Sequence, residues 1–338
     1  MSHDVKSERN SFPTSSLGYN AYRIVELSKC VIITARKVSG MNERSLLDIG
    51  QLSRQDILDI LSDAHDFSAS KRDWQLPHPG LVANLFFEPS TRTHYSFAAA
   101  ELGLGLKVED YTPLTGSTQK GESFRDTCLT FQALGYDLLV IRSPQERYYD
   151  EIADLRIPVI NAGDGAGSHP TQCLLDLMTI QEEFATFEGL KVAIIGDIAH
   201  SRVANSDYQA LTALGARVVC AGPEEFAREG FPFTSVDEAI EGADVVMTLR
   251  IQFERLKEGM SITREEYHQR YGLTAARAQS LKPGCIIMHP APINRGLEID
   301  SELVECPRSR IFKQMENGTY VRKAAIKRAF NLLPFREE

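Results

Sequence analysis

No stretch of this chain approaches the ~18 consecutive apolar residues that would suggest a membrane-spanning helix. There is no internal repeat and no low-complexity tract. With 43% hydrophobic and 25% charged residues, the composition is that of an ordinary globular protein, which excludes a collagenous, coiled-coil or largely disordered chain. A basic excess is also missing. The 37 Lys and Arg face 46 Asp and Glu, for a net charge of −9, and the pI is near 5.5. A broad nucleic-acid surface is excluded on that ground. Small anionic substrates are not, because a few cations can be gathered in one cleft. The six cysteines, Cys30, Cys128, Cys173, Cys220, Cys285 and Cys306, form neither C-x-x-C nor any other metal-ligand spacing. In a chain this long they read as scattered thiols of a reducing compartment, so a cytoplasmic location is the expectation.

At roughly 150 residues per domain, 338 residues correspond to about two domains. Residues 1–20 are polar, rich in Ser and Asn, and aperiodic. The apolar run at 30–33 is too short for the core of a signal peptide and follows acidic residues. Residues 1–40 are therefore predicted to be a disordered extension, with a start at Met41 or an organellar transit peptide as alternatives. Beyond Met41 the pattern is regular. Residues 53–68 place Ile57, Leu58, Leu61 and Ala64 on one helical stripe behind a Ser53 N-cap, with Asp56 in the first turn. Apolar, β-branched runs at 81–87, 137–142, 157–161, 191–196, 216–221, 244–249 and 284–288 predict strands. They alternate with helical patterns near 93–103, 122–134, 170–184, 202–214 and 320–332. Such alternation predicts an α/β protein of two domains, each a parallel sheet flanked by helices. The soft boundary lies at 184–190, and the last helix could return to pack on the first half.

Ligands of open α/β sheets bind beyond the carboxyl ends of the strands, so the residues that follow each strand carry the functional reading. After 81–87 come Glu88, Pro89, Ser90, Thr91, Arg92 and Thr93. Short hydroxyl residues at a helix N-terminus, with free backbone N–H groups and the helix dipole, make an anion site. Arg92 adds a donor fork matched to phosphate. Taken alone, this stretch is equally ordinary helix capping. Arg142 ends the next strand, where a buried cation is costly unless it meets an anion; a surface salt bridge is the plainer reading. After 157–161, a glycine-rich approach leads to His169 and Gln172 at the start of a helix. Only Gly196 marks the turn after 191–196, so the G-x-G-x-x-G of a nicotinamide-binding fold is missing. Arg202 opens the following helix. Arg250 and Gln252 follow 244–249, spaced to point one way in an extended segment. His289, Pro290, Ala291 and Pro292 follow 284–288, and the prolines leave carbonyls near Ala291 free to accept hydrogen bonds. Arg92, Arg142, Arg202 and Arg250 thus all fall at strand ends of an acidic chain. Together they predict a polyanionic small substrate, where the plain reading of each requires four coincidences.

From Met41 onward the chain resembles the aspartate transcarbamoylase catalytic chain. The resemblance is carried, in order, by Phe87-Glu88-Pro89-Ser90-Thr91-Arg92-Thr93, Lys120-Gly121-Glu122, Asn161-Ala162-Gly163-Asp164-Gly165, His169-Pro170-Thr171-Gln172, Arg250-Ile251-Gln252 and His289-Pro290-Ala291-Pro292. It implies the aspartate/ornithine carbamoyltransferase fold, with residues 41–184 as a carbamoyl-phosphate-binding domain completed by a C-terminal helix over 315–338. Residues 185–314 would then be an aspartate-binding domain. The implied reaction moves a carbamoyl group from carbamoyl phosphate to L-aspartate, an early step of pyrimidine synthesis, without metal or cofactor. The implied assembly is a homotrimer with shared active sites, to which a regulatory chain or dihydroorotase could attach. By resemblance, Ser90, Thr91, Arg92 and Thr93 hold phosphate, and Arg142 joins them. Thr93, Arg142 and His169 polarise the carbamoyl carbonyl; Arg92, Thr93, Arg142 and His169 form the catalytic set. Gln172 and the carbonyls of Pro290 and Ala291 bind the carbamoyl NH₂. Arg202, Arg250 and Gln252 hold the aspartate carboxylates, and Ser117 and Lys120 enter from the adjacent subunit, Lys120 towards aspartate. The chain departs from the pattern in carrying His94 where the family has Arg, and the family also varies the spacing from Ser117 to Lys120. Ornithine transcarbamoylase is the nearest rival, but its His-Cys-Leu-Pro signature is replaced here by His289-Pro290-Ala291-Pro292. A non-catalytic scaffold homologue is the alternative from another class.

Overall fold

The computed structural model describes residues 40–69, 79–111, 121–251 and 262–330. The segment 1–39, for which disorder is expected, lies outside them, as do Ser117, Lys120, Gln252 and residues 331–338. The described strands form two all-parallel sheets. In the first, β1 (Leu81–Phe86), β2 (Lys107–Tyr111), β3 (Leu138–Ser143) and β4 (Val159–Asp164) run in the order β2-β1-β3-β4. In the second, β5 (Lys191–Ile195), β6 (Arg217–Ala221), β7 (Phe233–Thr234), β8 (Val245–Thr248) and β9 (Ile286–Met288) run in the order β7-β6-β5-β8-β9. Each order reverses direction once, between β1 and β3 and between β5 and β8. Those reversals open a crevice at the carboxyl edge of each sheet.

Period-2 alternation explains why both faces of each sheet are covered. Val82, Leu138, Val140 and Ile160 point to one side of the first sheet; Val192, Ile194, Val218, Cys220, Val245 and Met247 point to one side of the second. All belong to a single apolar cluster that also takes in helices α1 (Arg54–Ser68), α4 (Pro170–Phe184) and α5 (Arg202–Ala213). The intervening residues, such as Ala83, Leu85, Leu139 and Ile141, face a separate cluster on the far side. Ala193, Ile195, Val219 and Val246 do the same for the second sheet. Each fully buried Leu or Ile in these layers contributes about 1.5–3 kcal/mol.

Helix α1 starts as the sequence predicts. Ser53 caps Asp56 N–H, and the Asp56 carboxylate accepts from Ser53 in return. Its buried stripe is Ile57, Ile60, Leu61, Ala64 and Phe67, with Leu58 only half-buried. Helices α2 (Thr91–Gly103) and α3 (Phe124–Ala133) lie close to their predicted spans. Short helices α6 (Val236–Ile240), α7 (Arg264–Tyr271) and α8 (Ala275–Ser280) were not predicted, nor were the edge strands β2 and β7. The last helix, α9, runs over Ile311–Phe330, beginning earlier than either 315 or 320. The helix runs unbroken through Asn317-Gly318-Thr319, where Asn317 and Gly318 are buried against α4. α9 packs against α1, α2 and α4, bringing the chain end back to the first sheet.

Candidate active site

A cavity of about 1010 Å³ collects the carboxyl ends of β1, β3, β4, β5, β8 and β9. Its wall contains Ser90, Thr91, Arg92, Thr93, Arg142, His169, Gln172, Arg202, Arg250, Pro290 and Ala291. Every described residue that the sequence singled out for substrate binding is therefore brought to one place. Among the described residues five arginines line the space, Arg322 being the fifth, against the carboxylates of Glu88, Glu146 and Asp197.

Three helices begin at this cavity, and their N-terminal dipole ends favour an anion there. At α2 the N-cap is Ser90, whose side chain makes no capping bond. Its hydroxyl and the first-turn amides are thus left for a ligand. Thr93 is buried, while Arg92 is exposed on the rim. The N-cap of α4 is His169, again without a side-chain cap, followed by Pro170 at the first helical position. Helix α5 is capped by Ser201 and places Arg202 in its first turn.

Glu88 ties the cations of the two sheets together. Its Oε1 lies 2.6 Å from Arg202 Nη2 and 2.7 Å from Arg142 Nε. The first contact is a hydrogen bond; the second is an ion pair misaligned for one, since Arg142 Nε has no hydrogen-bond partner. Arg142 Nη1 donates to Ala162 O at 3.1 Å and more weakly to Thr93 Oγ1 at 3.5 Å. Both guanidiniums fit because residue 163 is glycine. A Cβ there would stand 3.1 Å from Arg202 Nη1 and 3.2 Å from Arg142 Nη1, and its φ of +120° is one that side chains rarely adopt.

Burial, followed by repulsion from Arg202, lowers the Arg142 guanidinium to about 10, with Glu88 opposing the shift and Arg92 adding to it. Burial and then Arg250 lower Arg92 as well. The cations repel one another, and a bound polyanion would relieve that repulsion. His169, 4% exposed, is held well below the ordinary histidine range by burial and then by Arg142, Arg202 and Arg322. It is a neutral imidazole with one N–H to donate, and its Nδ1 is buried without a partner.

The loop after β9 is fixed from behind. Ala291 N–H donates to His289 Nδ1 at 2.8 Å, so the His289 proton sits on Nε2, which faces Glu298 Oε1 at 3.2 Å. Ala291 adopts a φ of 54° and the peptide before Pro292 is cis. The left-handed conformation costs a non-glycine residue about 1–2 kcal/mol. The carbonyls of Pro290 and Ala291 accept no hydrogen bond from any described residue.

Two participants were not assigned by the sequence. Glu88 lay inside a quoted motif but had no role; its partners are 54 and 114 positions away, beyond local pattern. Arg322 is 2% exposed in α9, with Nη1 donating to Gly318 O at 2.9 Å and its guanidinium 5.0 Å from the Phe97 ring centre. The available signal was an arginine on an apolar helical face with glycine four residues earlier. His94, the departure from the family pattern, does not line the cavity. Its Nε2 meets Asp110 Oδ1 of β2 at 2.8 Å and its ring packs edge-on against Phe86. Among the described residues no cluster of potential metal ligands occurs, and no helix is long and apolar enough to cross a membrane.

Residues 44–182 match the aspartate/ornithine carbamoyltransferase carbamoyl-P binding domain, and residues 188–328 match the Asp/Orn binding domain. The chain belongs to the aspartate/ornithine carbamoyltransferase family. Solved relatives include aspartate transcarbamoylase from Trypanosoma cruzi in complex with carbamoyl phosphate, at 28% identity and a TM-score of 0.76, covering 86% of this chain and 96% of that one. The same enzyme in complex with N-(phosphonacetyl)-L-aspartic acid matches at 28% identity and a TM-score of 0.74, covering 86% and 95%. Ornithine carbamoyltransferase from Gloeobacter violaceus matches at 28% identity and a TM-score of 0.71, covering 86% and 99%. These aspartate and ornithine carbamoyltransferases are thus equally distant in sequence from this chain, so its acceptor must be argued from its own cleft.

Proposed function

We propose that this carbamoyltransferase transfers the carbamoyl group of carbamoyl phosphate to the amine of L-aspartate, giving N-carbamoyl-L-aspartate and phosphate for pyrimidine synthesis. The observation that carries the acceptor assignment is the pair Arg202 and Arg250 in the cavity wall, with no thiol among the lining residues. Two guanidiniums suit the two carboxylates of aspartate. They would repel the terminal ammonium of ornithine.

In this reading the 41–184 half, completed by α9, holds carbamoyl phosphate, and the 185–314 half holds aspartate. Phosphate sits on Ser90, Thr91, Thr93 and the α2 N-terminus, with Arg92 and Arg142 as counter-charges. Thr93, Arg142 and neutral His169 donate to the carbamoyl oxygen, which gains negative charge as the aspartate nitrogen attacks. Gln172 and the free carbonyls of Pro290 and Ala291 receive the carbamoyl NH₂. The new N–C bond forms as the C–O bond to phosphate breaks, and the departing phosphate takes the amine proton. Positioning and fixed donors supply the acceleration. Gln252 would add to the aspartate site. Ser117 and Lys120 would come from a neighbouring subunit of a homotrimer that works in the cytoplasm.

Binding of N-(phosphonacetyl)-L-aspartate, which joins both substrates, tests the assignment by calorimetry. Tight binding that falls at least tenfold in both Arg92→Ala and Arg250→Ala supports it. Affinity no better than that for phosphate alone overturns it.

A further inference from the structure

Behind Gln172 the structure buries a polar cluster that the proposed reaction does not use. Asp176, 1% exposed in α4, receives the Gln172 side-chain NH₂ at 3.1 Å on Oδ1 and 3.2 Å on Oδ2. It also receives the Gln314 NH₂ from α9 at 2.6 Å. Gln314 Oε1 in turn accepts from His289 N–H at 2.9 Å, which ties the cluster to the loop carrying Pro290 and Ala291. A carboxylate accepts and an amide nitrogen only donates, so these contacts fix which way each glutamine points. Gln172 Nε2 is committed to Asp176. Its Oε1 has no partner among the described residues, and Gln172 lines the cavity.

We propose that Asp176 is a positioning residue: by holding the Gln172 NH₂ behind the cavity wall, it aims the Gln172 carbonyl at the carbamoyl NH₂ of the donor substrate. The proposal rests on the assignment of Gln172 made above. Without Asp176 the amide could rotate and present its own NH₂ to the substrate NH₂, two donors facing each other. Asp207 of α5, also 1% exposed, supports the arrangement. Its carboxyl contacts that of Asp176, and burial pushes both upward, Asp207 further. Of the two, Asp207 therefore holds a proton more readily, which leaves Asp176 the better acceptor for the glutamines.

The test compares carbamoyl phosphate with acetyl phosphate, which replaces the NH₂ by a methyl group and keeps the phosphate and carbonyl. Dissociation constants are measured by calorimetry on the full chain, with inorganic phosphate as a probe of the phosphate end. Wild type should prefer carbamoyl over acetyl phosphate. Asp176→Ala should lose roughly tenfold of that preference, the worth of one oriented hydrogen bond. Its affinity for inorganic phosphate should stay within about twofold, well below the tenfold effect of one such bond. Asp176→Asn keeps one acceptor oxygen, at the Oδ1 position shared by both glutamines, but replaces Oδ2 by a donor, so it should restore part of the preference. Should Asp176→Ala not fold, Asp176→Ser is judged by the same criterion, because its hydroxyl is too short to span both amide contacts. An unchanged preference in Ala or Ser overturns the positioning role, as does an equal loss for all three ligands. A wild type that binds both acyl phosphates equally would instead sink the assignment of Gln172, and the positioning role with it.

Discussion

Glu101 is a buried carboxylate whose ionisation should cost the folded state visibly. It sits in α2, wholly buried, and accepts from Asn84 Nδ2 of β1 at 3.0 Å. Burial is the main cause of its rise to about 7 from an ordinary 4.5; Asn84 opposes the shift and nearby Asp110 adds to it. Glu101 Oε1 and Asn84 Oδ1 are both buried without partners, and a proton on the acid supplies the donor the pair lacks. A raised carboxyl pKa means the folded state binds the proton more tightly than the unfolded one. The stability contributed by Glu101 is then full below pH 4.5 and is lost as pH rises from there through 7. Since each pKa unit is worth about 1.4 kcal/mol, the full loss is about 3 kcal/mol. Glu101→Gln keeps the acceptor, supplies a permanent donor and cannot ionise. The variant should match wild type near pH 4.5 and exceed it by up to about 3 kcal/mol at pH 8. Urea midpoints followed by circular dichroism across pH 4.5–8.5 measure this. A stability difference that does not change over that range would refute the reasoning. Because Glu101 and Asn84 join β1 to α2, the same variant also reports how firmly the loop between them is held.

Further perturbations address the site. Arg92 is exposed and lines the cavity, so Arg92→Ala should lower turnover by about 10²–10³. Its urea midpoint should move by no more than about 0.5 kcal/mol equivalent. Gly318→Ala would ordinarily stabilise a helix by up to about 1 kcal/mol. Here the new methyl stands 2.5 Å from Arg322 Nη1 and 3.3 Å from Leu175 Cδ2, so a loss of about 1–3 kcal/mol is expected in the same denaturation assay. His169 stays neutral because burial and three arginines hold its pKa well below 6.5. The rate profile should therefore show no limb near 6.5 that disappears in His169→Asn, although the rate itself should fall. The same lowered pKa makes stability from His169 complete above 6.5 and lost as pH falls below it.

The parallel sheets were legible because their central strands are continuous apolar runs, and the predicted 81–87, 191–196 and 216–221 lie within one residue of β1, β5 and β6 at each end. β2 was not, because Lys107–Tyr111 is an edge strand with no fully buried residue. Nor was α7, in which Tyr267 alone is buried and a Thr263–Glu266 capping box starts an otherwise polar helix. At the site, strand ends pointed to residues whose backbone position decides their role, such as Arg142 and His169. What could not be read was pairing. Glu88 meets Arg202 across 114 residues and Gln314 meets Asp176 across 138. Such contacts follow from the packing of the two sheets and α9, and no local periodicity encodes them. His94 shows the converse: it falls within the motif, but its position on α2 turns it to Asp110 and away from the cavity.

The most direct test of the central claim is phosphate release by the full chain from carbamoyl phosphate, with L-aspartate or L-ornithine as the acceptor. Turnover with aspartate, and a kcat/KM for ornithine lower by at least about 10³, is the predicted result, because ornithine would set an ammonium against Arg202 and Arg250 of the cavity wall. Equal or better turnover with ornithine, or none with aspartate, would contradict the account.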